Sequence, residues 1–164
     1  MMKTCAKCFV LICGAVFWLV SFSFSQSTVN TLAYPEGYRL WVHVKSVTIG
    51  PPTPNLRNYG IHHIYANPLA MEGYKTGHFP DGAIIVFDLR EIQTNNGVTK
   101  EVSRRFVDVM QKDSKRFEQT GGWGFEEFLG DGNTPTLSEE QKTACSTCHA
   151  SQKEKDSVFS SFQE

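Results

Sequence analysis

Ala83-Ile84-Ile85-Val86-Phe87-Asp88-Leu89-Arg90-Glu91-Ile92 runs on to Asn95-Asn96-Gly97, and Val98 to Met110 then resumes an extended pattern. Ile, Val and Phe dominate the first arm, Asp81-Gly82 marks a turn before it, and Asn-Gly is the pair favoured in a tight hairpin turn. The stretch is a long β-hairpin. Side chains alternate along a strand, so Ala83, Ile85 and Phe87 share one face and Ile84, Val86 and Asp88 the other.

Upstream, Ile61 to Ala66 is a further strand. Pro68 stands where a helix can begin, and Leu69 to Lys75 forms a short helix that ends near Gly77. Gly50-Pro51-Pro52-Thr53-Pro54-Asn55 is a break, since three prolines in four residues carry neither a ladder nor a helix. Before it, Arg39 to Val47 is apolar and β-branched with aromatics, and its period alone does not decide between helix and strand. Tyr34 to Tyr38 is turn-like, and Gln26 to Ala33 reads as a loose lead-in. Downstream of the hairpin, Thr120-Gly121-Gly122 interrupts the chain, Trp123 to Leu129 is a last strand, and Asp131 to Pro135 is a loop. Ser138 and Gln141 form a capping box, with Glu139 and Glu140 in the first turn, so a helix runs from about Glu139 to His149. The elements predict an α+β, β-rich domain: an antiparallel sheet with helices packed on it and a C-terminal helix.

The start of the chain differs in kind. Lys3 and Lys7 precede an apolar run from Phe9 to Val20, and small and polar residues follow from Ser21 to Ser27. This is the pattern of a secretory signal, with cleavage expected after Ser25. The alternative, an uncleaved anchor, wants roughly 20 apolar residues, which this run does not supply. Cys13 raises a lipoprotein alternative, against which Ile12 is bulky where such signals want a small residue. Residues 1–25 are thus expected to be a signal peptide and 26–164 a single exported, periplasmic domain. The formal net charge is −1, with no basic stripe and no nucleic-acid motif, which argues against a polyanion-binding surface.

Cleavage would remove Cys5, Cys8 and Cys13 and leave Cys145 and Cys148. With His149 these form a C-x-x-C-H sequence, the pattern of covalent c-type haem attachment. Two cysteine sulfurs can each form a thioether with a haem vinyl group, and the adjacent histidine can then reach the iron. On a helix, positions 145, 148 and 149 share a face. One haem c is therefore expected, attached at Cys145 and Cys148 with His149 as the metal ligand. A thiol redox pair would want a βαβ context. A zinc site would want a second ligand pair, and His62-His63, as strand neighbours, point opposite ways. The motif lies at the back of a strand-rich chain, not near the front of an all-helical one, so the small cytochrome c fold is not expected.

Four segments carry a wider resemblance. They are Tyr34-Pro35 with Trp41; Lys75-Thr76-Gly77-His78-Phe79-Pro80-Asp81-Gly82; Lys112-Asp113-Ser114-Lys115-Arg116-Phe117; and Gly121-Gly122-Trp123-Gly124-Phe125. The C-x-x-C-H follows, then Asp156-Ser157-Val158-Phe159. From about Tyr34 to Phe159 the chain resembles the cytochrome P-460 family, which also contains the cytochromes c′-beta. The resemblance implies a β-rich homodimer with a single haem whose sixth position is open. In the P-460 branch a lysine is cross-linked to the haem ring, and hydroxylamine and nitric oxide are oxidised. In the c′-beta branch the cross-link is missing, phenylalanines cap the iron, and gases bind.

The position of the cross-linking lysine matches Phe87, and no lysine lies between Gly82 and Asn96; Lys75 is the nearest upstream. A distal arginine of the P-460 branch matches His62. Phe87 and His62 are thus the candidate distal residues, beside the plainer readings of a core phenylalanine and a hydrogen-bonded strand histidine. Trp123 and Phe125 read as core near the haem. The leading expectation is binding of nitric oxide or another small diatomic in an apolar distal pocket. The alternatives are a P-460-type oxidoreductase and an electron-transfer cytochrome with a sixth protein ligand and a redox partner protein. Whether the chain is an enzyme stays open between them.

Overall fold

A computed structural model describes residues 30–50 and 56–163. The expected signal peptide and nearly all of the proline-rich break lie outside the described residues. Among these, no helix is long and apolar enough to cross a membrane.

The architecture is α+β. Five strands form one antiparallel sheet in chain order: β1 (Val42–Ile49), β2 (Gly60–Ala66), β3 (Ile84–Asn95), β4 (Val98–Lys112) and β5 (Trp123–Leu129). Helix α1 (Pro68–Thr76) connects β2 to β3, and α2 (Glu139–His149) follows β5. The β3–β4 turn closes at the Asn95–Val98 pair, with Asn96 at φ 51° and Gly97 at φ 77°. Two successive left-handed residues are what a two-residue hairpin turn of this twist requires, hence Asn-Gly. The segment that periodicity left undecided is a short 3-10 turn, Tyr38–Leu40, followed by β1.

Helix α1 starts at Pro68. The Asn67 side chain accepts from the N–H groups of Ala70 and Ile84 and donates to the Gly82 carbonyl, so one residue caps the helix and ties its start to β3. Gly77, at φ 81°, ends the helix. Helix α2 has the expected bounds, and its capping box is complete.

Both faces of the sheet are covered. One carries Ile64, Ile85, Met110, Trp123 and Phe125. The other carries Tyr38, Val86, Val107, Val109 and Phe128. On the second face Asp88 is fully buried, accepting from the Tyr38 hydroxyl at 2.7 Å and from Arg104 Nε at 3.1 Å. Leu32 is buried in the same cluster, which corrects the expectation of a loose lead-in: its described part docks on the sheet because Leu32 has an apolar face to cover.

Candidate haem site

Register brings distant residues into line. Lys45 pairs with Ile64, Ile64 with Phe87, Phe87 with Asp108, and Asp108 with Glu127. These five positions form one row across all five strands, and every one of them lines a cavity of about 480 Å³. That size suits a cofactor. Cys145, Cys148 and His149 of α2 line the same cavity, with Phe159 beyond the helix.

Helix α2 is held on β5 by a buried pair. Glu126 accepts from the Leu137 N–H, and its other oxygen lies 3.2 Å from Lys142 Nζ. Cys145 is one turn further along the helix and half-buried, while Cys148 is exposed. Burial pushes the Cys145 thiol up from its ordinary range, and the carboxyls of Asp108 and Glu127 push it the same way. A thiol redox pair wants a depressed thiol, so the environment disfavours that reading.

His149 lies between two rings, with Phe125 and Phe159 centroids each 5.0 Å away. Its Nδ1 is 2.8 Å from the Ser157 carbonyl. A carbonyl can only accept, so Nδ1 carries the proton and Nε2 keeps its lone pair. That is the tautomer an iron-ligating imidazole needs. Burial lowers the pKa of His149, against the raising effect of the Ser157 bond, and so favours the neutral ring.

The position of Ser157 depends on the residue before it. Asp156 accepts from the Phe79 N–H at 2.8 Å and from Lys112 Nζ at 2.6 Å, and its carbonyl accepts from Trp123 Nε1 at 2.8 Å. Asp156 and Ser157 both have positive φ, a compact turn that presents the Ser157 carbonyl to His149. Sequence reading marked these residues only as part of a family signature; the partners of Asp156 lie 33 to 77 positions away.

Phe87 and His62 do meet, with ring centroids 6.4 Å apart, and both line the cavity. His62 Nε2 is committed to the Asn58 carbonyl at 3.0 Å. Burial lowers the His62 pKa and keeps the ring neutral, so its remaining nitrogen, Nδ1, is an acceptor. His63 faces the other way, bonded to Ser46 and Glu101. Among the described residues, no group of three or more His, Cys, Asp and Glu is placed to hold a metal ion on its own.

The cavity is less apolar than expected. Its centre is Ile64 and Phe87, but Lys45 stands at one end of the row and Asp108 and Glu127 at the other. Arg57 is ion-paired with Glu127 and lies over the Phe106 ring. Burial pushes Asp108 up to about 8, and the Glu127 carboxylate adds to that shift while Arg57 opposes it. A carboxyl raised on folding contributes its stability fully below the ordinary carboxyl range, and loses it as pH rises through about 8. Unfolding free energy is therefore expected to fall between about pH 4 and 8 with a slope of about one proton. Asp108→Asn should flatten that slope, as read by denaturant titrations across the range.

The family model for cytochrome P460 matches residues 35–160, well over half of the chain. No curated protein matches the chain. The matched stretch contains all five strands, both helices and the cavity that they enclose. The chain belongs to the cytochrome P460 family, and its cofactor is haem.

Proposed function

We infer that this is an exported, periplasmic mono-haem protein of the c type that binds nitric oxide or another small diatomic at an open iron position. Haem would be joined by thioethers to Cys145 and Cys148 and ligated by His149 Nε2. The observation that carries the reading is that the three motif residues, from α2, and Phe87, from β3, line the same cavity.

Haem iron supplies, when bound, a Lewis-acidic centre that takes π-acceptor gases. The chain's own residues do the rest. The Ser157 carbonyl and the rings of Phe125 and Phe159 orient His149. Phe87 and Ile64 form an apolar patch that cannot coordinate a metal and disfavours water. His62 donates from Nε2 to the Asn58 carbonyl, which fixes the ring as a wall of the pocket beside Phe87. An uncharged diatomic loses little on entering such a patch, whereas a hydrated anion loses its solvation.

A P460-type oxidoreductase is the second reading. Lys45, a side chain from β1 lining the cavity, favours it by offering an amine where Phe87 offers none. Visible absorption spectroscopy separates the readings. A five-coordinate gas binder gives a high-spin spectrum, whereas a ring cross-link moves the ferrous band far to the red. Sharp low-spin bands would make the protein an electron carrier and overturn the assignment.

Phe87→Ala should speed nitric oxide or carbon monoxide association on the order of tenfold, equivalent to about 1.4 kcal/mol of barrier. The ring must move before a ligand fits, while no hydrogen bond to bound ligand is lost, so dissociation changes less. Flash photolysis reads both rates, and parental association would make Phe87 ordinary core.

A homodimer is part of the same proposal. It is supported by β1, the open edge of the sheet, where Val42 and Val47 are exposed and Leu40 just before them is 92% exposed. Sedimentation gives the oligomeric state.

A further inference from the structure

We propose that Lys45 is the haem-carboxylate anchor of this protein: its ammonium pairs with a propionate of the bound haem. This rests on the haem reading above and deepens it.

The first argument is position. Thioether-forming vinyl groups and propionates lie toward opposite edges of the macrocycle. Helix α2 is tied to β5 through Glu126, which accepts from the Leu137 N–H and lies 3.2 Å from Lys142, and Cys145 lines the cavity together with Asp108 and Glu127. The thioether edge therefore lies at the β4–β5 end of the transverse row. Lys45 is at the β1 end, two strands beyond Phe87, a spacing of about 10 Å. A haem fixed at α2 and crossing Phe87 points its carboxylates toward β1.

The second argument is charge. Around the cavity Glu127 is paired with Arg57 and Glu126 with Lys142. Asp108 is held toward its neutral form by burial. Lys45 is half-buried, and among the described residues nothing pairs with its ammonium. A lysine can lay its stem along an apolar wall and keep its ammonium within reach of an incoming anion. Haem brings two carboxylates, and ferric haem carries one net negative charge, which Lys45 balances.

The test uses the full holoprotein with Lys45→Gln and Lys45→Arg. In Lys45→Gln the propionate bending band of the resonance Raman spectrum should shift, and Lys45→Arg should keep it near the parental position. Losing a cation beside the haem favours the ferric form. The ferrous-to-ferric ratio at fixed potential should fall on the order of tenfold in Lys45→Gln, about 59 mV for one electron. Lys45→Met, similar in length, gives the same readings if Lys45→Gln does not accumulate. A pigmented neutral variant with parental band and potential overturns the proposal. So does a digest in which haem bridges a peptide containing Lys45, since a bonded amine is no longer a counter-ion. A parent protein without haem overturns the haem reading itself, a result distinct from both.

Discussion

Replacing Cys145 and Cys148 together by alanine should give a protein whose haem, if retained at all, is removed completely by acid-acetone, while the parent keeps its pigment. The expected change is all or none, because a thioether does not dissociate and a non-covalent haem does so once the fold is lost in acid. Both sulfurs line the cavity from one helix face, three residues apart. Cys145 is the more enclosed, packed against the core cluster of Met110 and Phe125, and Cys148 is exposed. Single variants should therefore each keep one attachment, which mass spectrometry of the haem peptide detects. Extraction of pigment from the unmodified parent would show that no thioether forms.

His149→Ala should abolish the parental ferric and ferrous spectra while leaving both thioethers in place. The imidazole is clamped from three sides, by Phe125, Phe159 and the Ser157 carbonyl. No other described side chain is positioned to replace it on that side of the cavity: His62 stands beside Phe87 with Nε2 engaged by Asn58. The variant also leaves a cavity between two rings and a carbonyl without its donor, for an expected loss of about 3 kcal/mol in stability. Imidazole added to the variant should restore a parental spectrum by entering that space. A parental spectrum without added imidazole would rule His149 out as the ligand.

Much of the frame is local and was therefore legible in the chain. The Asn96-Gly97 turn, the Ser138–Gln141 capping box, Pro68 at the start of α1 and Gly77 at its end are each decided by a few adjacent residues. The C-x-x-C-H motif is local in the same way. What escaped reading depends on register. Nothing near Lys45 in sequence connects it with Phe87 or Asp108; two strand pairings align it with Phe87 and a third with Asp108, after the irregularity between His43 and Lys45. Asp108 and Glu127 look like solvent-facing strand carboxyls until β4 and β5 are paired and face inward. Asp156 draws on partners from the connection before β3, from β4 and from β5, so its role cannot be seen within its own segment. Leu32 stands in a segment that reads as a loose lead-in, and its burial is decided by an apolar face far away in sequence.

The order of elements along the chain has a bearing on biogenesis. Each strand pairs only with its neighbour in sequence, so the meander needs no segment that is made after Leu129. Sheets assembled from adjacent strands close early, because their contacts span short loops. Cys145, Cys148 and His149 come later, and the Asp156 clamp later still. The register of the sheet is thus set without the helix that carries the motif, although Val158 and Cys145 complete the packing of one of its faces. Maturation would end when Asp156 docks on Phe79, Lys112 and Trp123 and brings the Ser157 carbonyl to His149. The turn at Asp156 and Ser157 would then act as a latch that fixes the ring of His149 from outside its own helix.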